Sequence, residues 1–208
     1  MFASNFICLL SSSDNIFVSY YKKFIQTEES VKIFNLLEQN LVYNSEKDSQ
    51  ITIMGKKMNI PRKQVAYGDT GTSYKFSGVT VNAKDWNDDN EVCKILRYLR
   101  DKIAKRFNFS PNFVLINRYE NGDQYIGPHS DDEKDLAKFP NIAGISFGAG
   151  RDMLFEHKYK NIKKSLHLTN GSAYCMHYPT NTYYKHSIPK KKGVNMPRIS
   201  LTFRQMNV

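Results

Sequence analysis

The stretch Pro197-Arg198-Ile199-Ser200-Leu201-Thr202-Phe203-Arg204 alternates strictly between polar and apolar side chains. Successive side chains of a β-strand point to opposite faces, so this pattern predicts a strand with two arginines on its polar face. If the polar face lies in water, the strand is simply half buried. If it lies inside a barrel, two guanidinium groups can bind a dicarboxylate in bidentate fashion, with the Thr202 hydroxyl as a donor between them.

Candidate metal ligands lie upstream of this strand. His129 and Asp131 are separated by one residue, and a lone His186 follows later in the chain. Residues two apart in a strand share a face, so His129 and Asp131 can reach one ion from one strand. Two imidazoles and a carboxylate are the ligand set of non-haem Fe(II) oxygenases, which keep coordination positions open. A His-x-Asp tripeptide is common by itself, and the arginine strand is what makes the signal specific.

The composition indicates one basic globular domain. The chain has 208 residues, 40% of them hydrophobic, and a formal net charge of +10. A chain of this length can bury one good core. Its charge predicts binding to a polyanion, with nucleic acid the first choice and an anionic membrane surface the alternative.

The cysteines and the start of the chain bear on the compartment. Cys8, Cys93 and Cys175 are odd in number and widely spaced, which argues against a disulfide framework or zinc site and fits a reducing, intracellular environment. Residues 1–10 are apolar but lack a basic region and a cleavage pattern. We therefore expect a tail or packing segment there and not a signal peptide. No apolar run is long enough to span a membrane.

Apolar periodicity predicts two helices in the first half of the chain. The first begins at Thr27, after a strand predicted over 14–26. The second follows Asn90, with apolar residues at helical spacing from Val92 onward. Between them, residues 51–64 contain a glycine and several lysines and predict a hairpin or a mobile loop.

Short strands separated by Gly, Pro and Asn are predicted from residue 112 onward. Helices followed by many strands indicate an α+β fold, with a double-sheet jelly roll as the β core. A strand-like segment, Thr180–Tyr184, precedes His186. The best candidate strands are Val114–Tyr119, Ile142–Phe147, Asp152–His157, Ser172–His177 and Ile199–Phe203.

These motifs, with several others, form an ordered series along the chain. They are Asn117-Arg-Tyr119, His129-Ser-Asp131-Asp132-Glu133, Ser146-Phe-Gly148, Arg151-Asp152, Pro179-Thr-Asn-Thr182, His186-Ser-Ile-Pro189 and the arginine strand, with Pro61-Arg-Lys-Gln64, Tyr67-Gly-Asp69 and Tyr74-Lys-Phe-Ser-Gly78 upstream. The series resembles the AlkB family of Fe(II)/2-oxoglutarate dioxygenases, and most closely the branch that repairs alkylated bases in double-stranded DNA. The resemblance runs from about residue 51 to Gln205.

The resemblance implies a double-stranded β-helix and a set of cofactors. Iron would be held by His129, Asp131 and His186, with 2-oxoglutarate and O2 as cosubstrates. The family oxidises an N-alkyl group on a base, typically in 1-methyladenine or 3-methylcytosine, and the product loses formaldehyde. The implied 2-oxoglutarate contacts are Arg198 and Tyr119 at the distal carboxylate, and Asn117, Thr202 and Arg204 along the rest of that ligand.

The resemblance also implies that the damaged base is flipped out of the DNA. Tyr74 and Phe76, on either side of Lys75, would line the base pocket, although two aromatic residues at strand spacing are more often core. Asp132 and Glu133 suit a cationic methylated base, and the alternative is a plain acidic turn.

A hairpin in the resembling branch carries an apolar finger that fills the gap left by the flipped base. Met54 stands at that position, followed by Gly55 and Lys56. Methionine can wedge between base steps, but the family finger is commonly aromatic, so this difference bears on efficiency with duplex DNA. Arg62 is expected to support the opened stack.

Phosphate contacts are expected from Lys190, Lys191 and Lys192, for which a solvated surface run is the alternative. The activity itself has two alternatives: an RNA or single-strand demethylase of the same family, and a non-catalytic nucleic-acid binding module. The intact set of candidate iron ligands and arginines argues against the module.

The expected organisation is one domain in three parts. Residues 1–50 form an N-terminal extension and first helix packed on the core, and 51–110 form nucleotide-recognition hairpins and the second helix. Residues 111–208 form the Fe(II)/2-oxoglutarate jelly-roll core. We expect a monomer without a membrane partner, in the nucleus if the source is eukaryotic and in the compartment of DNA replication otherwise.

Overall fold

The computed structural model describes residues 6–45, 49–53, 56–76, 79–131 and 135–207. Three helices lie within these ranges: α1 (Thr27–Asn40), α2 (Glu91–Phe107) and the short α3 (Thr180–Tyr183). The strands are β1 (Phe6–Ser11), β2 (Ile16–Tyr21), β3 (Gln50–Ile53), β4 (Lys56–Asn59), β5 (Lys63–Gly68), β6 (Ser73–Phe76), β7 (Val79–Asn82), β8 (Lys84–Asp85), β9 (Phe113–Tyr119), β10 (Ile126–His129), β11 (Ile142–Gly148), β12 (Arg151–His157), β13 (Lys163–Leu168), β14 (Ser172–Met176), β15 (Tyr184–Ile188) and β16 (Arg198–Arg204).

Two sheets form the jelly roll. The larger has the order β1-β2-β14-β11-β16-β9-β5-β8, and the smaller has the order β10-β15-β12-β13. Strands distant in sequence are therefore neighbours, as a jelly roll requires. One apolar cluster contains Ile142 and Met176 from the larger sheet together with Met153 and Phe155 from the smaller one. The sheets thus pack face to face, and the predicted α+β jelly-roll fold is confirmed.

Both long helices cover the outer face of the larger sheet. Leu37 of α1 and Leu96 of α2 lie in the same buried cluster as Ile145 and Leu201 of the sheet. The N-terminus of α2 is capped by Asn90, whose side-chain oxygen accepts a 2.8 Å hydrogen bond from the Cys93 amide. The two helices thus shield this face of the sheet from solvent, opposite the face that lines the interior of the jelly roll.

Several local predictions were wrong in detail. Residues 6–11, expected within a tail or packing segment, form β1 and pair along the whole of β2. The strand predicted over 14–26 is shorter, because a turn follows Tyr21. Thr180–Tyr183, predicted as part of a strand, forms the helical turn α3, and the strand begins only at Tyr184. Strand β13 escaped prediction because its polar sequence, Lys163–Leu168, exposes most of its first half.

The hairpin prediction for residues 51–64 also needs correction. A hairpin exists, but its second strand is β4, at Lys56–Asn59. Residues from Lys63 onward belong to β5, which pairs with β9 in the larger sheet. A second hairpin follows, made of β6 and β7. The role of these hairpins in nucleotide recognition stays a prediction.

The helices in the described ranges include none with the length and apolar character needed to cross a bilayer.

The packing of α2 predicts a large stability cost for Leu96→Ala. Leu96 is fully buried against the sheet, and the truncation leaves a cavity worth about 2–5 kcal/mol of unfolding free energy. Urea unfolding of Tyr98→Ala provides the control, because Tyr98 lies on the same helix and is exposed. Equal losses in both variants would show that α2 does not pack as described.

Candidate active site

His129 and His186 face each other across two paired strands. His129 ends β10 and lies opposite His186 of β15 in the antiparallel register. Their ring centroids are 4.3 Å apart. Asp131 completes the group, and the candidate ligand atoms of the three residues all lie within 4.8 Å of one another. The structure therefore brings together the three residues predicted as iron ligands.

The prediction that one strand delivers both His129 and Asp131 was wrong. Strand β10 ends at His129, and Asp131 lies beyond it without strand pairing. Asn181 of α3 holds Asp131 in position instead. The Asp131 backbone amide donates to the Asn181 side-chain oxygen at 3.0 Å, and the Asn181 side-chain amide donates to the Asp131 carbonyl. A side-chain amide thus replaces the backbone pairing that a partner strand would provide.

Two further contacts fix this arrangement. Ser130 donates from its hydroxyl to the Tyr184 carbonyl at 3.1 Å. Thr180, next to Asn181, accepts a 2.7 Å hydrogen bond from the Phe17 amide and donates to the Phe17 carbonyl at 3.1 Å. Helix α3 is therefore anchored on β2 and in turn holds Asp131. Sequence reasoning missed Asn181, although the Pro179-Thr-Asn-Thr182 motif contained it.

The Asp131 carboxylate is buried, 1% exposed, and ionised. Burial raises the pKa of this carboxyl, but Arg204, His186 and His129 outweigh burial and lower the pKa to about 2. Arg204 donates a 3.0 Å hydrogen bond to Oδ2. Oδ1 has no hydrogen-bond partner and lies 3.7 Å from Nε2 of His129. A buried anionic oxygen without a hydrogen bond is suited to a cation.

Both imidazoles are suited to a metal as neutral donors. Nδ1 of His129 lies 2.9 Å from the Gly127 carbonyl, so we infer that Nδ1 carries the proton and donates it, leaving the lone pair of Nε2 free. Burial lowers the pKa of His186 to about 3, so this imidazole is neutral near pH 7. Two neutral nitrogens and one carboxylate oxygen fit Fe(II) with open coordination positions. The side chain of His129 is 33% exposed, which leaves this side of the group accessible.

Arg198 is a buried cation that lacks an acidic partner. It is 1% exposed, and only Nη2 has hydrogen bonds, to the hydroxyls of Ser146 at 2.8 Å and Ser200 at 3.2 Å. Nε and Nη1 are buried without hydrogen-bond partners. Among the described residues no carboxylate lies within ion-pair distance of it. A guanidinium remains charged when buried, and an unpaired buried charge is costly, so this position requires an anion such as a carboxylate.

The polar face of β16 lies inside the jelly roll. Ser200, Thr202 and Arg204 are all buried. The polar face of this strand therefore lies inside the barrel and not in water. Across the strand register, Arg198 lies opposite Tyr119, and Ser200 lies opposite Asn117. The guanidinium of Arg198 is 5.4 Å from the Tyr119 ring centroid. The residues predicted to bind 2-oxoglutarate thus share two neighbouring strands.

Two arginines with predicted roles also make contacts that the sequence did not indicate, and their predicted roles stay predictions. Arg204, predicted along 2-oxoglutarate, contacts the Asp131 carboxylate and so holds a candidate ligand in place. Arg62, expected at the opened DNA stack, donates from Nε to the side-chain oxygen of Asn117 at 2.8 Å. Arg62 thus lies beside Asn117, a residue predicted to bind 2-oxoglutarate, and its role at the opened DNA stack stays a prediction.

The triple lysine is not uniform. Lys190 and Lys192 are exposed, and Nζ of Lys190 lies 5.3 Å from the Tyr125 ring centroid. Lys191 instead forms a 2.8 Å ion pair with Asp152. Lys190 and Lys192 are thus the accessible cations of this loop, whereas Lys191 fastens the loop to β12.

The remaining predicted residues lie outside the described ranges or are placed by their backbone alone. Met54, Gly55, Asp132 and Glu133 fall outside the described residues. The backbone places Lys56 in β4 and Tyr74, Lys75 and Phe76 in β6. Their roles toward DNA stay predictions.

Residues 17–204 match the 2OG-Fe(II) oxygenase superfamily. The chain belongs to this family. It is therefore an iron- and 2-oxoglutarate-dependent oxygenase, which uses Fe(II), 2-oxoglutarate and O2.

Curated relatives and solved structures agree with this assignment. The DNA oxidative demethylase ALKBH2 of Mus musculus is 41% identical, over 86% of this chain and 75% of that protein. The ALKBH2 of Homo sapiens is 40% identical, over 86% of this chain and 69% of that protein. The structure of OsALKBH1 has a TM-score of 0.56 at 16% identity, covering 90% of this chain and 97% of that one. A 2OG-Fe(II) oxygenase-family oxidoreductase from Burkholderia pseudomallei has a TM-score of 0.54 at 13% identity, over 87% and 80% of the two chains. These two structures support the fold.

The hydrogen bonds of Asn181 predict that Asn181→Ala weakens metal binding. Loss of a residue that orients a metal ligand typically costs about 10-fold to about 100-fold in affinity. Titration of the metal-free protein with Mn(II) measures this loss without turnover. Asn181→Asp keeps the hydrogen-bond acceptor but loses the donor, so its Mn(II) affinity should lie between those of the parent and Asn181→Ala.

The control is Thr182→Ala, an exposed neighbour in the same helical turn, which should bind Mn(II) like the parent. If Asn181→Ala lowers the melting temperature but leaves Mn(II) affinity intact, Asn181 supports only the fold.

Proposed function

We propose that this chain is a DNA repair enzyme that oxidatively demethylates N-alkylated bases such as 1-methyladenine and 3-methylcytosine. The observation that carries the proposal is that one chain contains both a candidate iron site, formed by His129, Asp131 and His186, and a buried Arg198 without an acidic partner among the described residues. The same chain is 40–41% identical to DNA oxidative demethylases. Methyl oxidation is coupled to conversion of 2-oxoglutarate to succinate and CO2, and the hydroxymethyl product releases formaldehyde.

In this proposal His129, Asp131 and His186 hold Fe(II), which supplies oxygen activation at the site. The Arg198 guanidinium binds the distal carboxylate of 2-oxoglutarate beside Tyr119, because Nε and Nη1 provide donors that nothing else uses. Asn117 and Thr202 line the rest of that ligand. Arg204 keeps Asp131 ionised and oriented.

The base is recognised on the accessible side of the group, where His129 is partly exposed. Tyr74 and Phe76 stack on the flipped base, while Asp132 and Glu133 accept hydrogen bonds from it. Met54 fills the gap that the base leaves in a duplex. These roles rest on the family resemblance and on the position of the two hairpins in the chain.

DNA as a partner is supported by the net charge of +10 and by the exposed Lys190 and Lys192. In this proposal the enzyme acts as a monomer on duplex DNA. It works where the DNA is, which is the nucleus in a eukaryote. Of the three lysines expected to contact phosphates, Lys190 and Lys192 are exposed, and Lys191 would exchange its partner Asp152 for a phosphate.

Formaldehyde release tests the proposal directly. The purified protein, with Fe(II), ascorbate and 2-oxoglutarate, is incubated with matched duplex DNA, single-stranded DNA and RNA that carry 1-methyladenine or 3-methylcytosine. We expect release from DNA, fastest from the duplex. Release from RNA alone would overturn the DNA assignment in favour of an RNA demethylase, and release from none of the substrates would overturn demethylation.

Removal of the Arg198 charge should weaken 2-oxoglutarate and spare the metal. Truncating one partner of a buried charge pair costs about 2–5 kcal/mol, so Arg198→Ala should raise the KM for 2-oxoglutarate by at least about 30-fold. Arg198→Lys keeps the positive charge but loses the planar guanidinium group, so its KM for 2-oxoglutarate should lie between those of the parent and Arg198→Ala. Mn(II) titration should give the parental affinity in both variants. An unchanged KM in Arg198→Ala would show that the carboxylate binds elsewhere.

A further inference from the structure

Two exposed aromatic side chains contact each other near the candidate active site. Phe139 is 57% exposed and Tyr178 is 49% exposed. Their ring centroids lie 4.6 Å apart, with the ring planes inclined at 60°. Neither residue belongs to an apolar core cluster of the described residues, so their contact does not arise from burial in the fold.

Phe139 has an unfavourable backbone conformation. Its φ angle is +57°, in the left-handed region that a bulky residue rarely adopts. It also precedes Pro140, which restricts its backbone further. Strain of this kind is retained where a side chain has a function. Here it directs a large apolar ring toward solvent, which is the opposite of what packing alone would favour.

A pocket lined in part by Asp131 lies along the two chain segments that carry the aromatic pair. The pocket has a volume of about 340 Å³ and is lined by Ala137 and Pro140 on one side, by Asn181 and Thr182 on the other, and by Asp131. Phe139 and Tyr178 come from the same two chain segments, since Phe139 immediately precedes Pro140 and Tyr178 lies three residues before Asn181. The volume lies within the range of ligand sites.

One lysine lies beside the pair, and another lines the pocket. Nζ of Lys138 lies 5.2 Å from the Phe139 ring centroid, and Lys158 lines the pocket. Adjacent aromatic faces with lysines beside them are how proteins hold unpaired nucleic-acid strands, because bases stack on the rings and phosphates contact the cations. An acidic protein partner would use the lysines but would not require two exposed rings.

We propose that Phe139 and Tyr178 form a second base-binding subsite, which takes an unstacked base of the same nucleic-acid substrate. Lys138 and Lys158 contact the neighbouring phosphates. The inference rests on the proposed function, and it adds a stacking platform separate from the pocket for the damaged base. The platform grips the strand next to the reacting nucleotide and thereby contributes to affinity and not to the chemical step.

The test uses Phe139→Gly, because glycine adopts a positive φ without strain. Its melting temperature should equal or exceed that of the parent, so lost binding cannot be ascribed to unfolding. Base stacking typically contributes about 1–3 kcal/mol per base, so affinity for a single-stranded oligonucleotide should fall about 5-fold to about 150-fold. Fluorescence anisotropy of the labelled, unmethylated oligonucleotide measures this affinity on the metal-free protein, independently of turnover.

Three further variants sharpen the comparison. Tyr178→Ala should lose affinity like Phe139→Gly, and Phe139→Trp should retain it, since a ring is still presented. Tyr98→Ala removes an exposed aromatic residue on α2 and should bind like the parent. With methylated substrates, Phe139→Gly should raise the KM for an oligonucleotide while leaving turnover of a methylated mononucleoside unchanged.

Parental affinity in Phe139→Gly would overturn the subsite, and so would an equal loss in Tyr98→Ala. A change in oligomeric mass on removal of either ring would assign the pair to a contact between copies of the chain and also overturn it. Failure of the proposed function can be distinguished from failure of the subsite. If the proposed function is wrong, the parent protein releases no formaldehyde from any methylated substrate, but the anisotropy comparison still tests the subsite.

Discussion

Arg204 and Asp131 form a hydrogen-bonded ion pair in which both side chains are almost completely buried. A carboxylate so far from water would ordinarily take up a proton, and a protonated acid is a poor metal ligand. The arginine prevents this by stabilising the ionised form through one oxygen, while the other oxygen stays free of hydrogen bonds. The carboxylate by itself would raise the pKa of His186, but burial outweighs this effect and lowers that pKa to about 3, so the imidazole stays neutral beside the anion.

The two arginines of β16 lie in different electrostatic environments inside the jelly roll. At one end of β16, Arg204 is neutralised by Asp131, and at the other end Arg198 has only hydroxyl partners. The strand therefore presents an arginine paired with a carboxylate beside the metal group, and farther away an arginine with no carboxylate partner among the described residues. We expect a bound dicarboxylate to place one of its carboxylates at Arg198, because that charge is not compensated by an acid. The antiparallel neighbour β9 adds Tyr119 and Asn117 in register, so the pocket wall depends on backbone pairing as much as on side chains.

Much of this arrangement could be predicted from the sequence, for identifiable reasons. The alternation in Arg198–Arg204 is a period-two signal, and α2 has a long, regular apolar stripe between clear end signals. The role of Asn181 could not be predicted, because it depends on a contact between segments 50 residues apart that no local pattern records. The engagement of Lys191 with Asp152 was hidden for the same reason, since three consecutive lysines look alike in sequence. Strand β13 lacked an apolar alternation, and its pairing with β12 is what makes it a strand.

The link from β2 through α3 to Asp131 has a consequence for the N-terminal part of the chain. Phe17 holds Thr180 through its main-chain amide and carbonyl, and the next residue, Asn181, holds Asp131. A shortened chain that begins after Tyr21 would still contain every candidate metal ligand and both arginines of β16. It would nevertheless lack the anchor of α3, and the larger sheet would end at β14 with an unpaired edge. The structure that orders Asp131 therefore extends upstream to Phe17, whose main chain anchors α3.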